Sequence, residues 1–185
     1  MKLSTSARVS LASNAVALLA AGLAWYGWPA APLWPYAVHK TLHLVGVVVF
    51  MGNLIAGPVW LGFAWYAKDR AALAFAARSI AAADIVITMP GIQLTVWNGV
   101  FLAAAMGGVR AQPWLVESVL LMVGTSLFAS TVVLYWQERF VEAAQGDDER
   151  ALSRAMVQWS IWGTVVSVPF GVITWLMVSK HALWR

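Results

Sequence analysis

Apolar residues fall into five long runs, separated by short breaks of proline, glycine or charge. The runs extend from about Leu11 to Trp28, Ala37 to Tyr66, Ile80 to Met106, Trp114 to Trp136 and Met156 to Val178. A helix that crosses a bilayer needs roughly 20 mostly apolar residues, and each run approaches or exceeds that. The first follows Lys2 and Arg8, as a signal peptide would. Its apolar stretch is longer than a leader's, and it ends in Trp25, Tyr26 and Trp28 without a small-residue cleavage pattern. We therefore expect a retained helix. The breaks differ in kind. Pro29 to Pro35 holds three prolines and no charge, which predicts a stiff turn. Lys68 to Ser79 predicts an interfacial helical turn. Gln137 to Arg154 is the most polar segment. Within it, Gly146-Asp147-Asp148 predicts one helix end followed by a new start, so the fourth and fifth helices should project beyond the bilayer. The expected fold is all-α: one domain over residues 1–185, an integral membrane bundle of five transmembrane helices.

Composition agrees. Only 11% of the 185 residues are charged, 61% are hydrophobic, and mean hydropathy is +0.73. A soluble domain carries about 25% charged residues. This excludes a soluble enzyme, a disordered tail and a conventional nucleic-acid binder. The chain has no Cys, which excludes disulfides, thiolate metal sites, iron–sulfur clusters and covalent haem attachment. With the N-terminus inside, Lys2, Arg8, Lys68, Arg70, Arg78, Arg139, Arg150 and Arg154 are cytoplasmic, and Lys40, Arg110, Lys180 and Arg185 are external. The positive-inside bias thus predicts N-terminus in and C-terminus out, in a multi-pass protein of a cytoplasmic (inner) membrane.

Helices in lipid associate through small residues. Gly163, Ser167 and Gly171 form one such face, and Gly52 with Ala56 another; helix–helix contact is the expectation for both. Pro58, Pro90 and Pro169 fall inside spans and favour kinks.

Ionisable groups inside a membrane are candidates for function. His39 and His43 stand four apart near the outer end of the second span, on one helix face. Such a pair can hold a metal ion, or one imidazole can ligate haem. At 1.5 Å per residue His39 lies about 3 Å inside the boundary and His43 about 9 Å, so His39 should reach water and His43 should not. On the same scale His43, Trp97, Asn98, Glu117, Thr174 and Trp175 form one outer layer. His181 follows the last span, as a second ligand or an interfacial residue. Met51, Met106 and Met177 are alternative sulfur ligands or packing groups. Asp84 lies near the inner end of the third span, where an ion pair with Arg78, Arg150 or Arg154, or proton transfer, is expected. Asn53 and Gln93 should bond between helices. No phosphate-binding loop, dinucleotide fingerprint, serine triad or H-E-x-x-H occurs.

The run from His39-Lys40-Thr41-Leu42-His43 through Gly46, with Gly52-Asn53 after it, resembles an uncharacterised bacterial family of predicted integral membrane proteins with an "LH-x-x-G…G-N" helix. That family then carries an Asp and a "T-x-P-G" segment, matched by Asp84, Thr88, Pro90 and Gly91. The resemblance runs from Ala37 through the fifth span and implies the fold. More distantly, the chain is similar to CopD-type copper-resistance proteins and HemJ-type protoporphyrinogen oxidases, which place a "K-x-L-H" segment at the start of a span. That likeness implies b-type haem at His43, with Lys40 as the matching lysine. The Trp-rich continuation of the HemJ type is replaced here by Val47-Val48-Val49-Phe50-Met51, so the likeness does not carry porphyrinogen oxidation with it.

Three functions follow as expectations. The first is a b-type haem protein in electron transfer or in a larger membrane redox complex. Its haem b contacts would be His43, His39, His181, Asn98, Trp97 and Trp175. The second is a transporter or metal-handling protein using His39 and His43. The third is an accessory subunit whose small-residue faces bind a partner or a second copy. The lipid bilayer is the expected surrounding in all three, and nucleic acid in none.

Overall fold

Five helices form the chain in a computed structural model that describes residues 4–29 and 31–184. They are α1 (Thr5–Trp25), α2 (Tyr36–Tyr66), α3 (Arg70–Ala105), α4 (Pro113–Ala143) and α5 (Glu149–Ser179). Each is long and apolar enough to cross a membrane. Their starts follow local chemistry. The side chains of Ser4, Asp69 and Asp148 accept the first free N–H groups of α1, α3 and α5. The expected start after Gly146-Asp147 is thus Asp148, and α4 and α5 do extend past their apolar runs.

The interfacial turn expected at Lys68 to Ser79 is instead the opening of α3, ten residues before the apolar run. The Ala-rich segment Arg70–Ala83 has high helix propensity, and Asp69 caps it. Two helices contain π-helical turns, α3 at Asp84–Thr88 and α4 at Ala129–Val133. Pro90 comes two residues after the first, so its missing N–H falls where the hydrogen-bond ladder is already irregular. Pro58 and Pro169 lie within continuous helices.

The tightest crossing is α2 against α3. A Cβ on Gly46 would stand 2.5 Å from Thr95 Oγ1 and 2.8 Å from the Gly91 carbonyl. A Cβ on Gly91 would stand 2.9 Å from both N and Cβ of Phe50. This is close backbone packing through glycine, the mode expected where lipid supplies no hydrophobic drive between helices. The glycines of the small-residue faces expected to mediate contact do not do so among the described residues. A Cβ on Gly52, Gly163 or Gly171 would meet nothing within 4 Å. Their helices pack through other faces: α2 buries the stripe His39, Gly46, Phe50, Gly57, Leu61 and Ala64.

Two cores flank the crossing. Leu61, Leu73, Ala77, Phe140, Leu152 and Trp159 fill one end. Ala17, Ala20, Val96, Val100, Trp114 and Leu176 fill the other. The outer surface is apolar as well, with Val48, Ile55, Phe63, Val86 and Val178 all strongly exposed. So large an apolar surface suits lipid and not water.

Candidate functional site

Two buried polar centres lie at opposite ends of the α2–α3 pair. At the histidine end, the His39 ring is 1% exposed. Its Nε2 accepts the backbone N–H of Trp34 at 3.1 Å, which leaves the proton on Nδ1 for donation to Asn98 Oδ1 at 2.9 Å. Asn98 in turn donates Nδ2–H to the Leu94 carbonyl. The imidazole is sandwiched between Trp34, at 5.5 Å, and Phe101, at 4.7 Å. Both ring nitrogens are thus engaged, and the His39/His43 chelate considered from the spacing has no free nitrogen on His39. The expected access to water is reversed too. The turn before α2 folds Trp34 over His39 and encloses it, while His43 stays half-buried.

His43 is held differently. Its Nδ1 donates to the Thr95 carbonyl at 2.8 Å. The ring lies flush on α3 because residue 99 is Gly: a Cβ there would stand 3.2 Å from Nδ1 and 3.3 Å from Cε1. Nε2 has no hydrogen-bond partner among the described residues. An imidazole with Nδ1–H on a backbone carbonyl and a free Nε2 lone pair is oriented as metal-ligating histidines are. Lys40 and Lys180 stand near each other at the same end. Lys180, just past α5, lies 3.9 Å from the Trp114 ring centroid. Partial burial, and then repulsion from Lys40, hold its ammonium below the usual lysine range.

The other members of the expected outer layer have separate partners. Trp97 donates Nε1–H to Gln93, which donates to the carbonyl and hydroxyl of Ser13, and its ring meets Trp28 edge-on. Glu117 is buried and accepts the backbone N–H groups of Leu183 at 2.7 Å and Trp184 at 2.9 Å, clasping the tail that follows α5. Thr174 is exposed and bonds its own helix. Trp175 is 51% exposed. His181 is exposed, with Nδ1 on the Ser179 carbonyl. The layer is therefore a shared level in the bundle, and not one site. Hollows of about 190 Å³ beside Trp28 and about 450 Å³ beside Trp136 both lie away from His43.

At the opposite end, Asp84 opens the π-turn of α3. Its Oδ1 accepts from Thr88 Oγ1 at 2.9 Å and Asn53 Nδ2 at 3.3 Å, and its Oδ2 accepts from Gln137 Nε2 at 2.7 Å. Asn53 also donates to Thr88 Oγ1 at 2.7 Å. The ion pair expected with Arg78, Arg150 or Arg154 is not formed. Arg78, six residues earlier, is turned about 120° away around the helix and is exposed. Among the described residues the ion pairs are Arg70 with Glu149 and Arg139 with Glu142. Sequence reasoning missed Gln137 as a partner of Asp84, and Lys180 as a neighbour of Lys40. A helical wheel carried on through the polar segment would have put Gln137 on an inward face, in step with Phe140 and Ala144.

No curated protein and no solved structure matches the chain. The more distant likeness to the CopD and HemJ types is not shown by any match. Residues 37–181 match the family model described as predicted integral membrane protein (DUF2269). The match takes in α2 from Ala37 and all of α3 to α5, with His39, His43 and the residues around Asp84, and by it the chain belongs to this family of multi-pass integral membrane proteins.

Proposed function

We propose that the chain is a b-type haem protein serving electron transfer in a bacterial cytoplasmic membrane, with His43 as the axial ligand. One observation carries this reading. The His43 ring is fixed through Nδ1–H on the Thr95 carbonyl, while Nε2 is left without a partner among the described residues. The residues around it fit an anionic porphyrin. Lys40 and Lys180 repel each other at that end, and carboxylates between them would relieve the repulsion. Phe50 and Phe170, edge-to-face at 5.4 Å one to two turns deeper, supply an apolar wall. Haem supplies a one-electron iron couple when bound. Thr95 holds the imidazole in the tautomer that presents Nε2. Gly99 permits the approach, and the enclosed His39 anchors the start of α2.

His39 and Asn98 bond each other and serve the site from behind. His181 keeps Nε2 available beside Lys180 and is the candidate for a second ligand. Because the two hollows lie elsewhere, the group would sit at the surface of the bundle, bordered by lipid or a second copy. The open Gly163–Gly171 face of α5 suits such a copy. On this reading the histidine end lies outside. Of the described basic residues, Arg8, Lys68, Arg70, Arg78, Arg139, Arg150 and Arg154 gather at the other end, against Lys40, Arg110 and Lys180. Lys2 and Arg185 lie outside the described residues.

The test is an absorption spectrum of protein purified after expression with ample haem precursor. A Soret band retained in His39→Gln and lost in His43→Ala supports the reading. Colourless wild-type protein, or a band indifferent to His43, overturns it.

A further inference from the structure

We propose that Asp84, held by Asn53, Thr88 and Gln137 at the π-turn of α3, is a reversible proton-binding site open to the side of the membrane where α4 and α5 are joined. The proposal is independent of the haem reading. Measured along α3, Asp84 is 21 residues from the end at Ala105, or about 31 Å. That places it near the far boundary of a hydrocarbon core about 30 Å thick. As a whole residue Asp84 is only partly buried, and at this boundary water can deliver a proton without crossing the membrane.

The neighbours decide what the site takes. Two amides and one hydroxyl surround the carboxyl, and all three donate to it. Such a shell receives the carboxylate without a counter-ion, although a lone charge in this setting is costly. A single added positive charge brings the group to neutrality. A divalent ion would call for more than one carboxylate, and no group of three or more His, Cys, Asp or Glu is gathered among the described residues. The shell also accommodates the acid. A proton passes from hydronium to Oδ2, and Gln137 turns its amide so that Oε1 accepts the new O–H. No atom need leave the site, because the amide offers a donor and an acceptor on one pivot. The π-turn adds the local irregularity that such turns bring to functional positions in membrane helices.

Among the described residues, no fixed charge pairs with the carboxyl. On α2 and the remainder of α3, the charged or titratable groups are Tyr36, His39, Lys40 and His43 at the far end and Tyr66, Arg70 and Arg78 on the near side. Arg70 binds Glu149, and Arg78 is exposed. On α1, Arg8 is exposed and bonds Ser4 and Thr5. On α4, Glu138 is engaged by Ser4 and Ser6, Arg139 by Tyr135 and Glu142, and Glu117 lies at the opposite end. A structural anchor would be served equally well by Asn. An acid ringed by neutral groups, each able to follow its charge state, is built to titrate.

The experiment is infrared difference spectroscopy on the full chain in lipid nanodiscs, with aspartate labelled at the carboxyl carbon. The chain has four aspartates, Asp69, Asp84, Asp147 and Asp148, and all but Asp84 are exposed. Between about pH 5 and pH 9 we expect an acid C=O stretch to appear and vanish reversibly, and to be absent in Asp84→Asn. In Gln137→Leu the anion loses a donor, so half-conversion should move up by about one pH unit. That variant reports on the natural carboxyl should Asp84→Asn not fold. A band that does not change across the range, as acid or as carboxylate, overturns the proposal. A midpoint that tracks sodium when choline is replaced would assign the site to Na⁺ and overturn it as well.

Discussion

At one end of the α2–α3 pair, His39 has both ring nitrogens bonded, two aromatic faces stacked on it and 1% of its surface exposed. At the other end Asp84 has all its bonds from groups that can reverse their direction, Thr88 by rotating a hydroxyl and Asn53 and Gln137 by turning an amide. His39 is bonded in a way that fixes one tautomer, whereas the shell of Asp84 suits two states. His43 stands between these extremes, with one nitrogen fixed and the other free. Burial alone therefore does not separate a structural polar group from a chemical one; the question is whether its partners leave any valence to spare.

Four experiments break or sharpen this contrast. The largest effect is expected at the crossing that carries both centres. Gly91→Leu should cost about 3 kcal/mol or more, because the backbone of Phe50 occupies the space. Thermal unfolding in detergent measures it, and a wild-type melt would show that the two helices can part. Next, His39→Leu should cost about 2–3 kcal/mol by leaving the Trp34 N–H and Asn98 Oδ1 unpaired. His43→Leu should cost less than about 1 kcal/mol in the same assay, since it strands only one carbonyl, which can still bond within its helix. Equal losses would erase the distinction between the two histidines. Third, Glu117→Gln keeps only one acceptor for two N–H groups. Amide exchange at Leu183 and Trp184 should quicken about tenfold, corresponding to about 1.4 kcal/mol.

The smallest effect concerns Lys180. Burial and Lys40 make its folded form bind a proton less tightly than the unfolded chain does. The unfolded state therefore holds more protons, and stability rises as alkaline pH climbs toward the ordinary lysine range. Lys180 is mostly solvated, so the slope should be shallow. Lys40→Gln should flatten it, and a slope unchanged in that variant would remove Lys40 as a cause.

The five helices were legible because a run of about 20 apolar residues has few other uses. The true start of α3 was not, because counting apolar residues stops at Arg78, whereas helix propensity continues back to Asp69. A depth scale laid along α2 put His43 deeper than His39. It could not register Trp34, which approaches from the preceding turn and covers His39. The importance of Asp84 was readable from its type, but its partners were not. Arg78 is close in sequence and out of phase, while Gln137 is 53 residues away and in contact. The π-turns left no mark in composition, since one extra residue in a ladder changes geometry and not chemistry.

The glycine crossing has a mechanical consequence. His39, His43 and Asn53 ride on α2, while Asp84, Thr88, Thr95 and Asn98 ride on α3. With Gly46 and Gly91 locking the two backbones together, these seven groups are mounted on a single stiff beam. His43 and Asn53 are separated along it by about 15 Å. A signal passing from one end to the other would have little scope to stretch or spread this beam. It would travel as a twist or a slide of the whole pair against α1, α4 and α5, and an engineered crosslink from the beam to any of those three would stop it.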